Sequence, residues 1–208
     1  MKIIVFGATG TVGIEIVKQG LTNGHEVTAF VRNAKKLSSL KHENLKIVQG
    51  DVLNAENVKH ALLGQEVVLC ALGDGSKGKV RAVGTENIIS AMDSAGVQRL
   101  ICQSTLGAGD SYGSLNFVWK YIMFGILLRR ALSDHNRQEK LVQNSKLDYT
   151  IVRPSAFSDG EITRNYEIGF DNNHKGLSLK INRADVADFM LSQLTDDRYR
   201  KRMVSISN

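Results

Sequence analysis

Short apolar runs alternate along this chain with longer stretches in which apolar residues recur every three or four positions. The first apolar run, Lys2 to Phe6, predicts a strand, and Thr11 to Asn23 predicts a helix. Further strands are expected at Glu26–Val31, Leu45–Gln49, Glu66–Ala71, Arg99–Gln103 and Asp148–Val152. Helices are expected at Ala55–Leu63 and Val80–Ala95, with a long one over Phe117–Asn144. The strands are apolar at nearly every position, as parallel strands buried on both faces must be. Alternating strands and helices imply right-handed crossovers, hence an α/β fold with a doubly wound parallel sheet and helices on both faces.

After Pro154 the pattern weakens. Tyr166–Phe170 and Gly176–Ile181 predict short strands, and Met203–Ile206 a last one. Between them Ala184–Leu194 reads as a helix capped by Asn182 or its neighbour. There is no linker and no internal repeat. Residues 1–208 are therefore read as one domain, with 155–208 a small C-terminal elaboration on the substrate side.

Composition narrows the field. Of 208 residues, 42% are hydrophobic and 23% charged, ordinary for a globular domain. No apolar run approaches the ~20 residues of a membrane span. The most apolar helical stretch, Phe117 to Leu128, is interrupted by Lys120 and Gly125. The first strand runs straight into a glycine loop, which leaves no room for a cleavable signal, so a cytoplasmic location and no membrane partner are expected. Cys70 and Cys102 sit in apolar runs and read as buried thiols; no ligand cluster suggests a metal. The net charge of +6 is spread out. Its local clusters, Arg129-Arg130 and Arg198 to Arg202, lack the aromatic series of a nucleic-acid stacking platform, so no nucleic-acid partner is expected. No isolated apolar helix face stands out, which favours a monomer.

Gly7-Ala8-Thr9-Gly10-Thr11-Val12-Gly13 follows the first strand and opens the first helix. That context turns a bare glycine triplet into a dinucleotide-binding signal of the Rossmann type. One glycine makes the tight turn, the next admits the pyrophosphate, and the third lets helix and strand pack closely. The helix N-terminus presents free N–H groups and a positive dipole to the phosphates. The second strand ends Val31-Arg32-Asn33, where an acidic residue would select NAD. Arg32, with Lys36 a turn later and Thr9 from the loop, suits a 2′-phosphate instead, so NADP(H) is expected. Asp51 and Val52 can serve the adenine, although Asp51 can equally cap the following helix. Ala71-Leu72-Gly73 can bring backbone close to the cofactor.

These motifs resemble the atypical short-chain dehydrogenase/reductase superfamily, the NAD(P)-binding group that includes NmrA-like proteins. Gly7 to Gly13, Gly50-Asp51-Val52, Ser145 to Pro154 and Asn182 to Ala187 carry the likeness over essentially the whole chain. Within it, Ser133-Asp134-His135-Asn136-Arg137 and Ser104 are similar to the biliverdin-IXβ reductase (flavin reductase) branch. The resemblance implies that Gly7, Thr9, Gly10, Thr11, Val12, Gly13, Arg32, Lys36, Asp51, Val52, Ala71, Leu72 and Gly73, with Ser104, Pro154 and Ser155, hold NADPH. It implies that Ser104 and His135 sit beside the nicotinamide. Where that branch carries a histidine after the proline, this chain has Ser155-Ala156.

The tyrosine–lysine acid/base pair of ordinary short-chain dehydrogenases is missing. Tyr121 has Gly125 four residues on, and Tyr112 has Asn116; the expected positions fall on about Ala131 and His135. Epimerase and alcohol dehydrogenase chemistry lose their acid/base. A planar conjugated acceptor needs none, because its π-system spreads the charge of an arriving hydride. The first expectation is thus an NADPH-dependent reductase of a flavin or linear tetrapyrrole, with FMN or FAD as substrate rather than bound cofactor. Ser104 would hold the carboxamide or a water, and His135, titrating near neutrality, would relay a proton. Tyr112, Phe117, Trp119 and Phe157 are stacking candidates. The glycine-rich segment Leu106–Ser114 could gate the acceptor, and Lys77 and Lys79 could meet its anionic groups. The alternatives are an NADP(H)-sensing NmrA-like interaction protein without turnover, and a quinone or small-carbonyl reductase.

Overall fold

The computed structural model describes residues 1–172, 174 and 176–208. Eight strands form one sheet, in the order β3-β2-β1-β4-β5-β6-β10-β8. These are β1 (Lys2–Phe6), β2 (Glu26–Val31), β3 (Leu45–Gln49), β4 (Val67–Cys70), β5 (Arg99–Gln103), β6 (Asp148–Pro154), β8 (Glu167–Ile168) and β10 (Arg202–Ser207). All neighbours are parallel except the edge strand β8, which runs against β10. The chain winds outward from β1 through β2 and β3, then crosses back to β4. Crevices at such a reversal, beside β1 and β4, are where open α/β sheets bind ligands.

The buried apolar residues of the central strands divide between two cores. Ile3 and Val5 face helices α1 (Gly13–Thr22) and α5 (Arg183–Ser192), through Ile16, Val17, Val186 and Met190. Ile4 and Phe6 face α2 (Ala55–Leu62), α3 (Arg81–Ala95) and α4 (Arg129–Asn144), through Leu62, Ile88, Met92 and Val142. This double burial explains the continuously apolar strands. Cys70 and Cys102 pair in register across β4 and β5 as free, buried thiols.

The long helix expected over Phe117–Asn144 is two helices. Val118–Leu127 winds as a π-helix and α4 starts at Arg129. Leu128 donates its N–H to the carbonyl of Met123, five residues back. The wider turn brings Trp119 and Phe124 together with ring centroids 5.7 Å apart. Side chains five residues apart do not share a face of an α-helix. The two rings pack with Leu106, Leu115 and Leu179 in a third, small core.

The C-terminal part differs in detail from expectation. The short strand within Tyr166–Phe170 shrinks to β8. That within Gly176–Ile181 shifts to β9 (Lys180–Asn182), which pairs with β7 (Ala156–Ser158), a strand the sequence did not signal. Asn182 stands at the start of α5 but does not cap it. Its side chain accepts from Ser158 and donates to the carbonyl of Glu161. The expectation that no apolar helix face stands uncovered also fails: Phe117, Val118, Tyr121, Ile122, Ile126 and Leu127 are exposed.

One ion pair ties β6 to α4. Arg153 donates to Glu139 through two bonds of 2.9 and 2.7 Å, with both side chains 4% exposed. Asp110 meets the same guanidinium from a solvent-exposed position. Glu139→Ala is expected to destabilise the fold by about 3 kcal/mol, because it strands a buried charge. Asp110→Asn is expected to cost at most about 1 kcal/mol. Urea denaturation of the two variants checks this; equal losses would contradict it.

Candidate cofactor and acceptor site

At the carboxyl ends of β1, β2 and β4 lies a cleft of about 490 Å³. It is bordered by the glycine loop from Gly7 to Val12, by Arg32 and Lys36, by Asp51 and Val52, and by Ala71 to Gly73. The glycines make the cleft possible. Gly7 holds a φ of +83°, and a Cβ there would collide with the carbonyl of Ala71 at the end of β4. Gly13 does not line the cleft; a Cβ on it would collide with the carbonyl of Gly7, so it sets how closely α1 packs. Helix α1 begins with no side-chain cap, leaving its first turn facing the cleft.

Two cations stand at the β2 side. Asn33 caps a short 3₁₀ turn, Ala34–Leu37, by accepting from the N–H of Lys35, and that turn brings Lys36 round to line the cleft with Arg32. Both are exposed, and among the described residues neither joins an ion pair. Asp51 is not the cap of α2: Asn54 is, accepting from Asn57, while Asp51 accepts from the N–H of Leu53 at the cleft wall. A glycine loop, an open helix start and two free cations fit a dinucleotide carrying several phosphates.

A second cavity of about 410 Å³ adjoins the first, and Gly75, Arg81, Gln103 and Phe157 line both. Its walls include Ser104, His135 and Ser155, the aromatic rings of Trp119 and Phe124, and Arg183. Ser104 and Ser155 thus stand in the second cavity rather than the cofactor cleft. Pro154 lines neither; its carbonyl accepts from the N–H of Leu106 as part of the sheet edge. Phe117 and Tyr112 lie outside as well, the latter donating to the carbonyl of Lys120. Lys77 and Lys79 also line neither cavity, because a close contact of Gly78 with the backbone of Arg130 holds their loop on the start of α4. Leu106 contributes to the second wall. Residues 109–114, which follow it, form a 3₁₀ turn, with Ser111 accepting from the N–H of Gly107.

Helix α4 supplies the polar floor. Asp134 accepts from the N–H groups of Arg81 and Ala82, capping α3 from across the interface. Arg81 is further paired with Asp74 at 3.1 Å. Next to Asp134, His135 is buried with Nδ1 3.4 Å from the Ser104 hydroxyl. Burial first, and the Arg81 cation second, hold the imidazole well below its usual value of 6.5. The ring is therefore neutral at neutral pH, and the expectation that it titrates there is corrected. Arg81, Gln103 and Arg183 were not foreseen. Gln103 Oε1, Ser155 Oγ, Arg81 Nε and Arg183 Nε are buried with no partner among the described residues, and all four residues line the second cavity. Nothing local in the sequence marks them, since each depends on neighbours far along the chain.

A family model described as NAD(P)H-binding matches residues 7–197. The chain is 30% identical to the uncharacterized protein YwnB of Bacillus subtilis, over 99% of this chain and 98% of that one. It is 29% identical to the photosystem II assembly factor Ycf39 of Synechocystis, over 78% of this chain and 47% of the relative. The chain thus spans about half the length of several curated relatives it matches. Among solved structures, the anaerobilin reductase ChuY of Escherichia coli O157:H7 superposes with a TM-score of 0.83 at 24% identity, covering 99% and 96% of the two chains. That likeness is one of fold. Among the described residues no helix is long and apolar enough to cross a membrane.

The lowered His135 makes stability depend on pH in a definite direction. Above about pH 6.5 the ring is neutral folded and unfolded, and burying it carries no proton cost. Below that, the unfolded chain takes up a proton the folded site refuses, so stability falls as pH drops toward the folded value. His135→Gln is expected to flatten this acid limb relative to the parent in melts from neutral pH to about pH 5. Parallel limbs would contradict the buried, neutral assignment.

Proposed function

We propose that this chain, which belongs to the NAD(P)H-binding family, is an NADPH-dependent reductase of a planar conjugated acceptor such as a flavin or linear tetrapyrrole. The observation that carries the reading is the continuity of the two cavities through Arg81, Gln103 and Phe157. One cavity suits a phosphorylated dinucleotide, and the other is walled by aromatic rings and partnerless polar groups. A bound nicotinamide supplies hydride. The chain's own residues bind, orient and exclude water. Arg32 and Lys36 meet the 2′-phosphate, and the backbone of the glycine loop meets the pyrophosphate. Phe157, at the junction, and Trp119 stack on a flat ring. Gln103, Ser155 and Arg183 offer their unused polar atoms to its heteroatoms.

Ser104 stands in the second cavity and is oriented by His135. Neutral His135 is a positioning residue here: at neutral pH it holds the hydroxyl rather than releasing a proton, and the proton that completes reduction comes from water. The free, buried cysteines suit a reducing, cytoplasmic setting. A second reading, an NADP(H)-sensing interaction protein, is favoured by one observation. The positions of the missing tyrosine–lysine pair hold Ala131 and His135, so the site has no strong acid/base.

Arg32→Ala is expected to raise the Kd for NADPH about ten- to hundredfold, the loss of one or two charge-assisted bonds, and to leave NADH within about twofold. Titration of each nucleotide by fluorescence checks this. Equal weakening of both would remove the 2′-phosphate assignment.

A further inference from the structure

The π-helix has two apolar faces, and only one is used. Inward, Trp119, Phe124 and Leu128 wall the second cavity. Outward, Phe117 and Ile126 are 69% and 73% exposed, with Tyr121, Ile122 and Leu127 beside them. Phe117 and Tyr121 stack at 4.8 Å, so this face is organised rather than a scatter of single residues. Contiguous exposed apolar surface of this kind marks an interaction site.

Charge identifies the occupant. From Ser111 to Ser133 the sequence holds Lys120, Arg129 and Arg130 and no carboxylate. Arg129 and Arg130 are exposed and form no ion pair among the described residues. Gly78 rests against the backbone of Arg130, which brings the loop carrying the exposed Lys77 and Lys79 to the start of α4. The carboxylate nearest in that loop, Asp74, is already engaged by Arg81. An aromatic and aliphatic face edged by free cations is the pattern of a helix lying in the interface of an anionic bilayer. A second copy of this chain fits less well, since a two-fold contact through one patch would oppose its own arginines.

We propose that the segment from Phe117 to Arg130 docks the protein on the surface of an anionic phospholipid bilayer. The ten-residue helix lies along the interface and does not span it. Its aromatic and aliphatic side chains enter the headgroup boundary, and Arg129 and Arg130 meet lipid phosphates. Docking there places the outer wall of the second cavity against lipid. Binding does not require turnover, so it stands or falls apart from the reductase reading.

The test is co-sedimentation of the full chain with vesicles of phosphatidylcholine alone, or of phosphatidylcholine mixed with phosphatidylglycerol. The chain is expected to bind the mixed vesicles, to be released by salt, and to ignore the neutral ones. Arg129→Gln with Arg130→Gln is expected to weaken binding roughly twenty-five-fold, about fivefold per cation. Ile126→Glu with Leu127→Glu is expected to abolish binding while the thermal melt stays unchanged. Lys41→Gln, an exposed cation elsewhere, is the control and is expected to change binding less than about twofold. No association with the mixed vesicles would overturn the proposal. So would an equal loss in the Lys41 control, which would mean diffuse charge. A concentration-dependent dimer dispersed by Ile126→Glu, without vesicle binding, would assign the face to a second copy instead.

Discussion

The rest of this structure depends on one close approach: the end of β1, the end of β4 and the start of α1 meet without a side chain between them. Gly7 lies against the Ala71 carbonyl, and Gly13 lies against the carbonyl of Gly7. That contact fixes the angle at which α1 leaves the sheet. It also keeps the crevice at the reversal of strand order open to solvent. A methyl group at either glycine would push helix and strand apart, and the phosphate-binding turn would lose its shape. The apolar strands on both sides are packed into two cores that hold this contact rigid. The cofactor cleft is therefore a consequence of how the sheet is wound.

From that fixed cleft the second cavity follows through α4. The helix buries a polar face made of Asp134, His135, Gln138 and Glu139. Three of those residues have partners on other elements. Asp134 caps α3, Gln138 donates to Thr85, and Glu139 takes Arg153. His135 lines the second cavity, with Ser104 as partner. Its neutrality is set by burial and by the Arg81 cation, itself held by Asp74 and Asp134. Burial first, and a cation held in structural ion pairs second, thus keep the group nearest the proposed chemistry neutral.

Much of this was legible in the sequence because it is local. The strand ends, the glycine loop and Arg32 are read from neighbours within a few residues, and the structure brings them to one cleft. Lys36 was legible for the same reason, since Asn33 makes the turn that carries it. The second cavity was less so. Arg81, Gln103 and Arg183 gain their meaning from partners on other elements, and His135 looked like a titrating histidine because burial cannot be read from its flanks. Val118–Leu127 reads as helix in the sequence, but its π-winding and the break before Arg129 do not show there, because the stretch is apolar all round and offers no single face to count. Strand β7 was hidden because three residues against a short partner carry no periodic signal.

In the proposed reaction, two joined cavities bring NADPH and a flat acceptor together for hydride transfer. The direct measurement is the loss of nicotinamide absorbance when the protein and NADPH are mixed with FMN, biliverdin or a quinone in turn. Oxidation is expected to depend on both protein and acceptor, with one acceptor clearly fastest. Tight NADPH binding with no oxidation by any of the three would contradict it and leave a protein that senses the cofactor without using it.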